Sequence, residues 1–308
     1  MRLFPNGEKV FEIISRYDDL LTLEGKEDYE PGDTLALIVP FLVLHNISED
    51  DITKLAIRAS LTGGADKLIS RLKSQGWNVF CISTSYEQYA LHITRRLGIN
   101  AQNVACTPFP LNRLRITLGK DDLCLLQHAE ADILTMRPVD DDARIKEHLD
   151  NLFWEKLPAT NLGAAIRRVR PVGGRRKVAA LNRFADRYEQ TLSNWVAVGD
   201  SITDFRMLEA VEKAKGLAIA FNANEYALPY STTSLASTFI SDLAEILELW
   251  PGGGRSAVEK IVKHKEKGGA TGDRGYFHWL SGRKDIDEIT AIHKRIRRLV
   301  RQEAGKLG

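Results

Sequence analysis

The stretch that most constrains the fold is residues 194–208, N-W-V-A-V-G-D-S-I-T-D-F-R-M-L. Residues 195–198 form a short apolar run, Gly199 breaks it, and Asp200 and Asp204 follow. From Phe205 the apolar positions fall three apart, at Leu208 and Val211. The pattern predicts a buried strand, a tight loop and a helix start. In an open α/β sheet, ligands bind at the C-terminal ends of the strands. Two carboxylates four residues apart at that edge are hard oxygen donors of the kind Mg²⁺ takes, usually together with substrate phosphate. A plainer reading stands beside this one. An Asp after a strand is often a helix N-cap or a turn residue.

The rest of the chain supplies the context. Residues 1–60 read as a helical module. Val10, Ile13, Ile14 and Tyr17 have helical spacing, a second apolar helix runs over 34–44 with Pro40 kinking or ending it, and Ser48 with Glu49, Asp50 and Asp51 signals an N-cap. Residues 63–106 alternate helix, strand, helix, strand, the strands placed at 77–82 and 104–106. That alternation is the grammar of a parallel sheet. Residues 109–169 read as a mainly helical insertion, with a possible short strand at 113–118. The Asp140-Asp141-Asp142 triplet follows no apolar strand and reads as a helix cap. The sheet grammar resumes over 170–250, with a further strand at 216–221. Pro251 and three glycines then read as a helix terminator and a boundary, and 251–308 as a helical extension. Its last helix carries Ile286, Ile289, Ile292, Ile296 and Leu299 on one face. Lys294, Arg295, Arg297, Arg298 and Arg301 lie on the other, which reads as a solvated face, with a partner or nucleic-acid surface as the alternative.

Composition removes several function classes. A net charge of +2 over 308 residues argues against nucleic acid as a partner. The seven histidines show no zinc spacing, and Cys81, Cys106 and Cys124 show no C-x-x-C pair. Three thiols cannot all pair, so free, mostly buried cysteines in the cytoplasm are expected. No run of 18 apolar residues suggests membrane insertion.

Three features then line up. The strand over 77–82 leads into Ser83 and Thr84, a Gly-rich loop over 171–176 delivers Lys177 at a helix start, and residues 195–198 lead to Asp200 and Asp204. A hydroxyl, a cation and a carboxylate pair at strand and loop ends suit a phosphate with a bound metal. The set resembles motifs two, three and four of the haloacid dehalogenase (HAD) superfamily, near its phosphoserine-phosphatase-like branch. Over most of its length the chain is also similar to archaeal proteins named as subunit R of an energy-converting hydrogenase of methanogens. The stretches that carry this are F-E-I-I-S-R-Y-D-D, G-D-T-L, I-S-T-S-Y-E-Q-Y, R-P-V-G-G-R-R-K and V-G-D-S-I-T-D.

The resemblance implies a HAD-like Rossmannoid parallel sheet with helices on both faces over 61–108 and 170–250. It adds a helical cap over 1–60 and the helical insertion over 109–169. It assigns phosphate binding to Ser83, Thr84 and Lys177, a catalytic role to Lys177 and Ser83, and Mg²⁺ binding to Asp200 and Asp204. The implied reaction is phosphomonoester hydrolysis through an aspartyl-phosphate, on a small phosphorylated metabolite. The alternative is a non-catalytic accessory protein, with a protein partner through 251–308 and an association with a hydrogenase.

One part of the superfamily pattern is missing: the apolar strand ending in D-x-D, whose first Asp is nucleophile and metal ligand. Asp18-Asp19, Asp50-Asp51, Asp121-Asp122 and the 140–142 triplet all fall at helical or cap positions. In the superfamily that strand lies between the strands leading to Ser83 and to Asp200. Without it these two stand two spacings apart, ~9.5 Å rather than ~4.8 Å. The expectation is a native upstream strand carrying D-x-[DE]. Otherwise the sheet closes up and the protein is not a phosphatase.

Overall fold

A computed structural model describes residues 3–138, 140–270 and 272–306, with side chains through residue 301. In chain order it contains helices α1 (Gly7–Glu24), α2 (Thr34–Leu37), α3 (Val39–Leu44), α4 (Glu49–Arg58) and α5 (Ala65–Ser74). Strand β1 (Cys81–Tyr86), helix α6 (Glu87–Arg96) and strand β2 (Val104–Thr107) follow. Next come α7 (Leu111–Arg115), α8 (Lys120–Ile133), α9 (Asp142–Asp150) and α10 (Asn161–Ile166). The remainder is α11 (Arg175–Arg187), β3 (Val196–Gly199), α12 (Phe205–Lys213), β4 (Leu217–Phe221), β5 (Thr233–Ala236), α13 (Ala244–Gly268), β6 (Tyr276–Trp279) and α14 (Asp287–Lys306). The chain is mixed α/β and divides into two compact units.

The first unit holds residues 3–57, 83–92 and 106–173. Ile13, Ile14 and Tyr17 of α1, Phe41 of α3, Leu126 of α8 and Leu149 of α9 are fully buried in one cluster. The expected cap and insertion therefore share a core, in which each covers the apolar stripe of the other. Arg16 Nε donates to Asp142 Oδ1 at 2.8 Å, and Tyr17 OH to Asp150 Oδ1 at 2.5 Å. The acid pairs serve local structure. Asp51 N–H donates to Ser48 Oγ at 3.2 Å while Ser48 N–H donates to Asp51 Oδ2 at 3.0 Å, a reciprocal capping box. Asp122 and Asp141 accept from the backbone N–H groups of Gly119 and Arg137, both at 2.8 Å.

Three expectations are corrected here. Residues 34–44 form two helices that part at Ile38, and Pro40 sits in the first turn of the second. There its missing N–H costs no bond. Residues 113–118 are not a strand. They end α7 and the turn after it, because Leu111 and Leu114 share one buried helical face. Cys124 is an exposed thiol, and Cys81 and Cys106 are half-buried.

The second unit holds residues 58–82, 93–105 and 174–306. Its sheet has the order β3-β4-β5-β6. The first two pairings are parallel, with Val196 opposite Leu217 and Ile219 opposite Thr233, and β6 is antiparallel to β5. Alternation along β4 divides its side chains between two layers. Leu217, Ile219 and Phe221 share a cluster with Leu68 of α5 and Ile246 of α13. Ala218 and Ala220 share one with Leu181 of α11, Leu208 of α12 and Ile289 of α14. Helices thus cover both faces of the sheet.

Two further expectations meet a different outcome. The strand expected at 77–82 forms instead at Cys81–Tyr86, paired with β2 in a separate two-stranded sheet. Among the described residues strand β3 pairs only with β4, and Val198 on it is 38% exposed although β4 is buried throughout. Val79, Phe80 and Ile82 line the same cavity as Trp195, Val196 and Val198, with a volume of about 430 Å³. The sheet has not closed up. Residues 77–80 have an apolar strand sequence, and a strand needs a ladder partner to exist. The break expected at Pro251–Gly254 is present inside α13, where two helical stretches join at a non-helical Gly254. Gly254 adopts φ 55°, ψ −157°, and helix continues to Gly268.

Candidate functional site

Asp200, Asp204 and Lys177 come together at the C-terminal end of β3, as their sequence positions imply. Gly199 lets the loop turn: a Cβ there would lie 2.6 Å from the Cβ of Asp204. Asp204 folds back under the loop. Its Oδ2 accepts from the N–H groups of Asp200 and Ser201, both at 3.1 Å, and from Ser201 Oγ at 3.0 Å. Its Oδ1 accepts from Lys177 Nζ at 2.7 Å, and both residues are 5% exposed. Lys177 lies in the first turn of α11, whose entry is fixed by a bond from Gly174 N–H to Thr203 O at 3.1 Å. Burial pushes the Asp204 carboxyl up, but the Lys177 ammonium and the loop donors outweigh it and hold the group below the usual carboxylate range. A charged pair at this depth stands because every oxygen and the ammonium have partners.

Asp200 has a different environment. Its carboxylate is 52% exposed, and Oδ2 lies 2.9 Å from Arg297 Nη1 of α14. Crowding by the surrounding protein pushes this carboxyl up, Arg297 pulls it down, and Asp204 adds to the rise. The same Arg297 nitrogen donates to Asp200 O at 2.5 Å and to Asn222 O, just past β4, at 3.0 Å. One turn earlier, His293 is fully buried and its Nδ1 accepts from Ala223 N–H at 2.9 Å. Burial, with His278 and Arg297 nearby, lowers this imidazole to about 3, so it stays neutral.

Ser83 and Thr84 belong to the first unit, in β1. Ser83 Oγ accepts from Ser85 N–H at 3.2 Å, and Thr84 Oγ1 donates to Val172 O at 3.0 Å. Ser83 holds its own turn of backbone, and Thr84 ties β1 to the distant Val172 within that unit. Ser201, His293 and Arg297 escaped the sequence reading of the site. A signal existed for His293, which sits between Ile289 and Ile296 on the buried face of the last helix. Arg297 reads as one of five basic residues on a solvated face, yet its side chain is only 16% exposed.

The chemistry of the donors bears on Mg²⁺. Asp204 has both oxygens engaged, and Asp200 shares one with a guanidinium. Among the described residues no group of three His, Cys, Asp or Glu side chains is placed to hold a metal ion. These donors alone do not make a complete Mg²⁺ set, which needs several oxygens in near-octahedral array. Among the described residues no helix is long and apolar enough to cross a membrane.

No family model matches the chain, and no curated protein does. Among solved structures, the gene product AF1437 from Archaeoglobus fulgidus is similar over 97% of this chain and 90% of its own, at 25% identity and a TM-score of 0.81.

Proposed function

We propose that this chain is a HAD-type phosphomonoester hydrolase by descent, Mg²⁺-dependent when complete, whose nucleophilic aspartate lies on a strand outside these 308 residues. The observation that carries the reading is the buried Lys177–Asp204 pair at 2.7 Å, set at the C-terminal end of a parallel strand with Asp200 at its mouth. Asp204 positions the ammonium, and Lys177 offsets negative charge on a phosphoryl group and on an attacking carboxylate. Among the described residues of this site, Asp200 is the carboxylate with an oxygen left to face a cation. The cavity between residues 79–82 and β3 supports the same reading, because an apolar strand there would pair with β3 and extend the sheet toward β1. That strand would bring both the nucleophile and a further metal ligand. In this reading the finer fold is the HAD-like Rossmannoid sheet, and the substrate is a small phosphorylated metabolite.

The test is hydrolysis of p-nitrophenyl phosphate with Mg²⁺. The 308-residue chain should show no turnover, and a chain extended by its native upstream strand should show turnover that Asp200→Asn removes. Equal activity with and without Asp200→Asn would refute the assignment.

A second reading rests on Arg297. A guanidinium on Asp200 is what a non-catalytic, HAD-derived accessory protein would carry, with residues 251–308 docking a partner such as a hydrogenase. Co-purification with a large partner that is lost on deleting 287–308 would favour it.

A further inference from the structure

We infer that the joint between α14 and the sheet is a binding site for one internal water molecule, which accepts from His293 and donates to Ser234 and His278. This holds whether or not the chain is a hydrolase. It starts from three buried polar atoms that have no hydrogen-bond partner among the described residues: His293 Nε2, Ser234 Oγ and His278 Nδ1. Buried polar atoms are nearly always paired, with protein or with ordered water.

The three side chains share one layer. Ser234 on β5 stands directly opposite His278 on β6, in a row with Ala220 of β4. Their strand neighbours Leu235, Phe277 and Trp279 pack in the cluster under α13. Alternation therefore turns Ser234 and His278 to the other face, where Ala220 meets Ile289 of α14. Helix α14 lies over β5 on that face, and His293, one turn after Ile289, is fully buried. The two imidazoles are close enough for His278 to act on the His293 ring electrostatically.

One bond fixes the proton. His293 Nδ1 accepts from Ala223 N–H at 2.9 Å, so the neutral ring carries its hydrogen on Nε2. The orphaned Nε2 is therefore a donor in need of an acceptor. A metal ion does not suit that place. The lone pair of the neutral ring is already given to Ala223, and Nε2 would have to lose its proton to hold a cation. A water oxygen can accept from Nε2–H while its two hydrogens go to Ser234 Oγ and His278 Nδ1. Three bonds is the ordinary complement of a buried water. Since none of the three side-chain atoms bonds another directly, the water closes a chain from the turn at Ala223 through α14 to β5 and β6. The same turn reaches the loop after β3, because Asn224 N–H donates to Asp200 O at 2.9 Å.

The experiment is side-chain NMR of the ¹⁵N-labelled 308-residue chain. Long-range ¹H–¹⁵N correlations should place the His293 proton on Nε2. That proton should exchange slowly and show a cross-peak to a long-lived water. Ser234→Val, which puts a methyl where the hydroxyl stands, should lose the water cross-peak and shift the Ala223 amide. A proton on Nδ1 overturns the inference, and so does an Nε2–H with no water contact or one bonded directly to Ser234 or His278. A cross-peak unchanged in Ser234→Val overturns it too. Should that variant fail to fold, a high-resolution crystal structure of the wild-type chain decides. A water within hydrogen-bond distance of all three atoms is expected, and a dry joint refutes it.

Discussion

Two aspartates show how position decides what a carboxylate does. Asp204 is buried and fully paired, so its charge is held. Asp18 of α1 is buried with less help: Tyr29 OH donates to it, as does Thr34 N–H at 3.3 Å, and burial outweighs both. Burial, with Asp19 adding to it against these donors, raises its carboxyl to about 6. A raised folded-state value means that Asp18 favours the fold below the unfolded value near 4 and that this contribution is lost as pH rises through about 6. Asn at this position keeps an oxygen acceptor for both donors and carries no charge. The stability of Asp18→Asn relative to wild type should therefore improve by ~2–3 kcal/mol between pH 4 and pH 8, about two pKa units at 1.36 kcal/mol each. Urea unfolding at the two pH values reads this directly, and an unchanged difference would contradict it.

The join within α13 shows a break that the sequence marks and a second helical stretch that packing adds. Pro251 and three glycines in a row read as the end of a helix, and helical propensity justifies that. The chain resumes helix because Val258 and Val262 beyond the kink are buried against the sheet. Arg255, directly after it, donates through Nη1 to Glu212 Oε2 and through Nη2 to Ser281 Oγ, both at 2.8 Å. Gly254 alone in this run has a backbone that other residues avoid, and space is not the obstacle, since an added Cβ would meet nothing within 4 Å. Gly254→Ala should cost ~1–3 kcal/mol. Gly252→Ala, at a helical position that is equally open, should be neutral or stabilise by up to ~1 kcal/mol. Thermal unfolding of the two variants separates local backbone strain from a general need for glycine, and equal effects would remove the distinction.

At the scale of the whole chain, the open edge of β3 carries the main consequence. An edge strand with an exposed apolar side chain is a template for pairing with another chain. Val198, at 38% exposure, is that side chain. Val198→Lys should lower self-association at high concentration, read by light scattering, while leaving the unfolding midpoint within ~0.5 kcal/mol of wild type. Equal scattering would mean that the edge is not a contact surface.

Local sequence specifies the elements with a strong period: α1, α8, α12, β3, β4 and the loop bearing Asp200 and Asp204. It also placed Lys177 at a helix start and set aside the acid pairs as caps. These follow from short-range chemistry, namely alternation, helical spacing, glycine breaks and capping boxes. The remaining features depend on residues far apart in the chain, which meet only on packing. The strand after Trp77 begins four residues late and pairs with β2 in a sheet separate from that of β3. Ser83 and Thr84 hold backbone in their own unit. Arg297 leaves the solvated face assigned to it and lies on Asp200, 97 residues away. A helical wheel reports which face a side chain points from, and only packed neighbours decide what it meets.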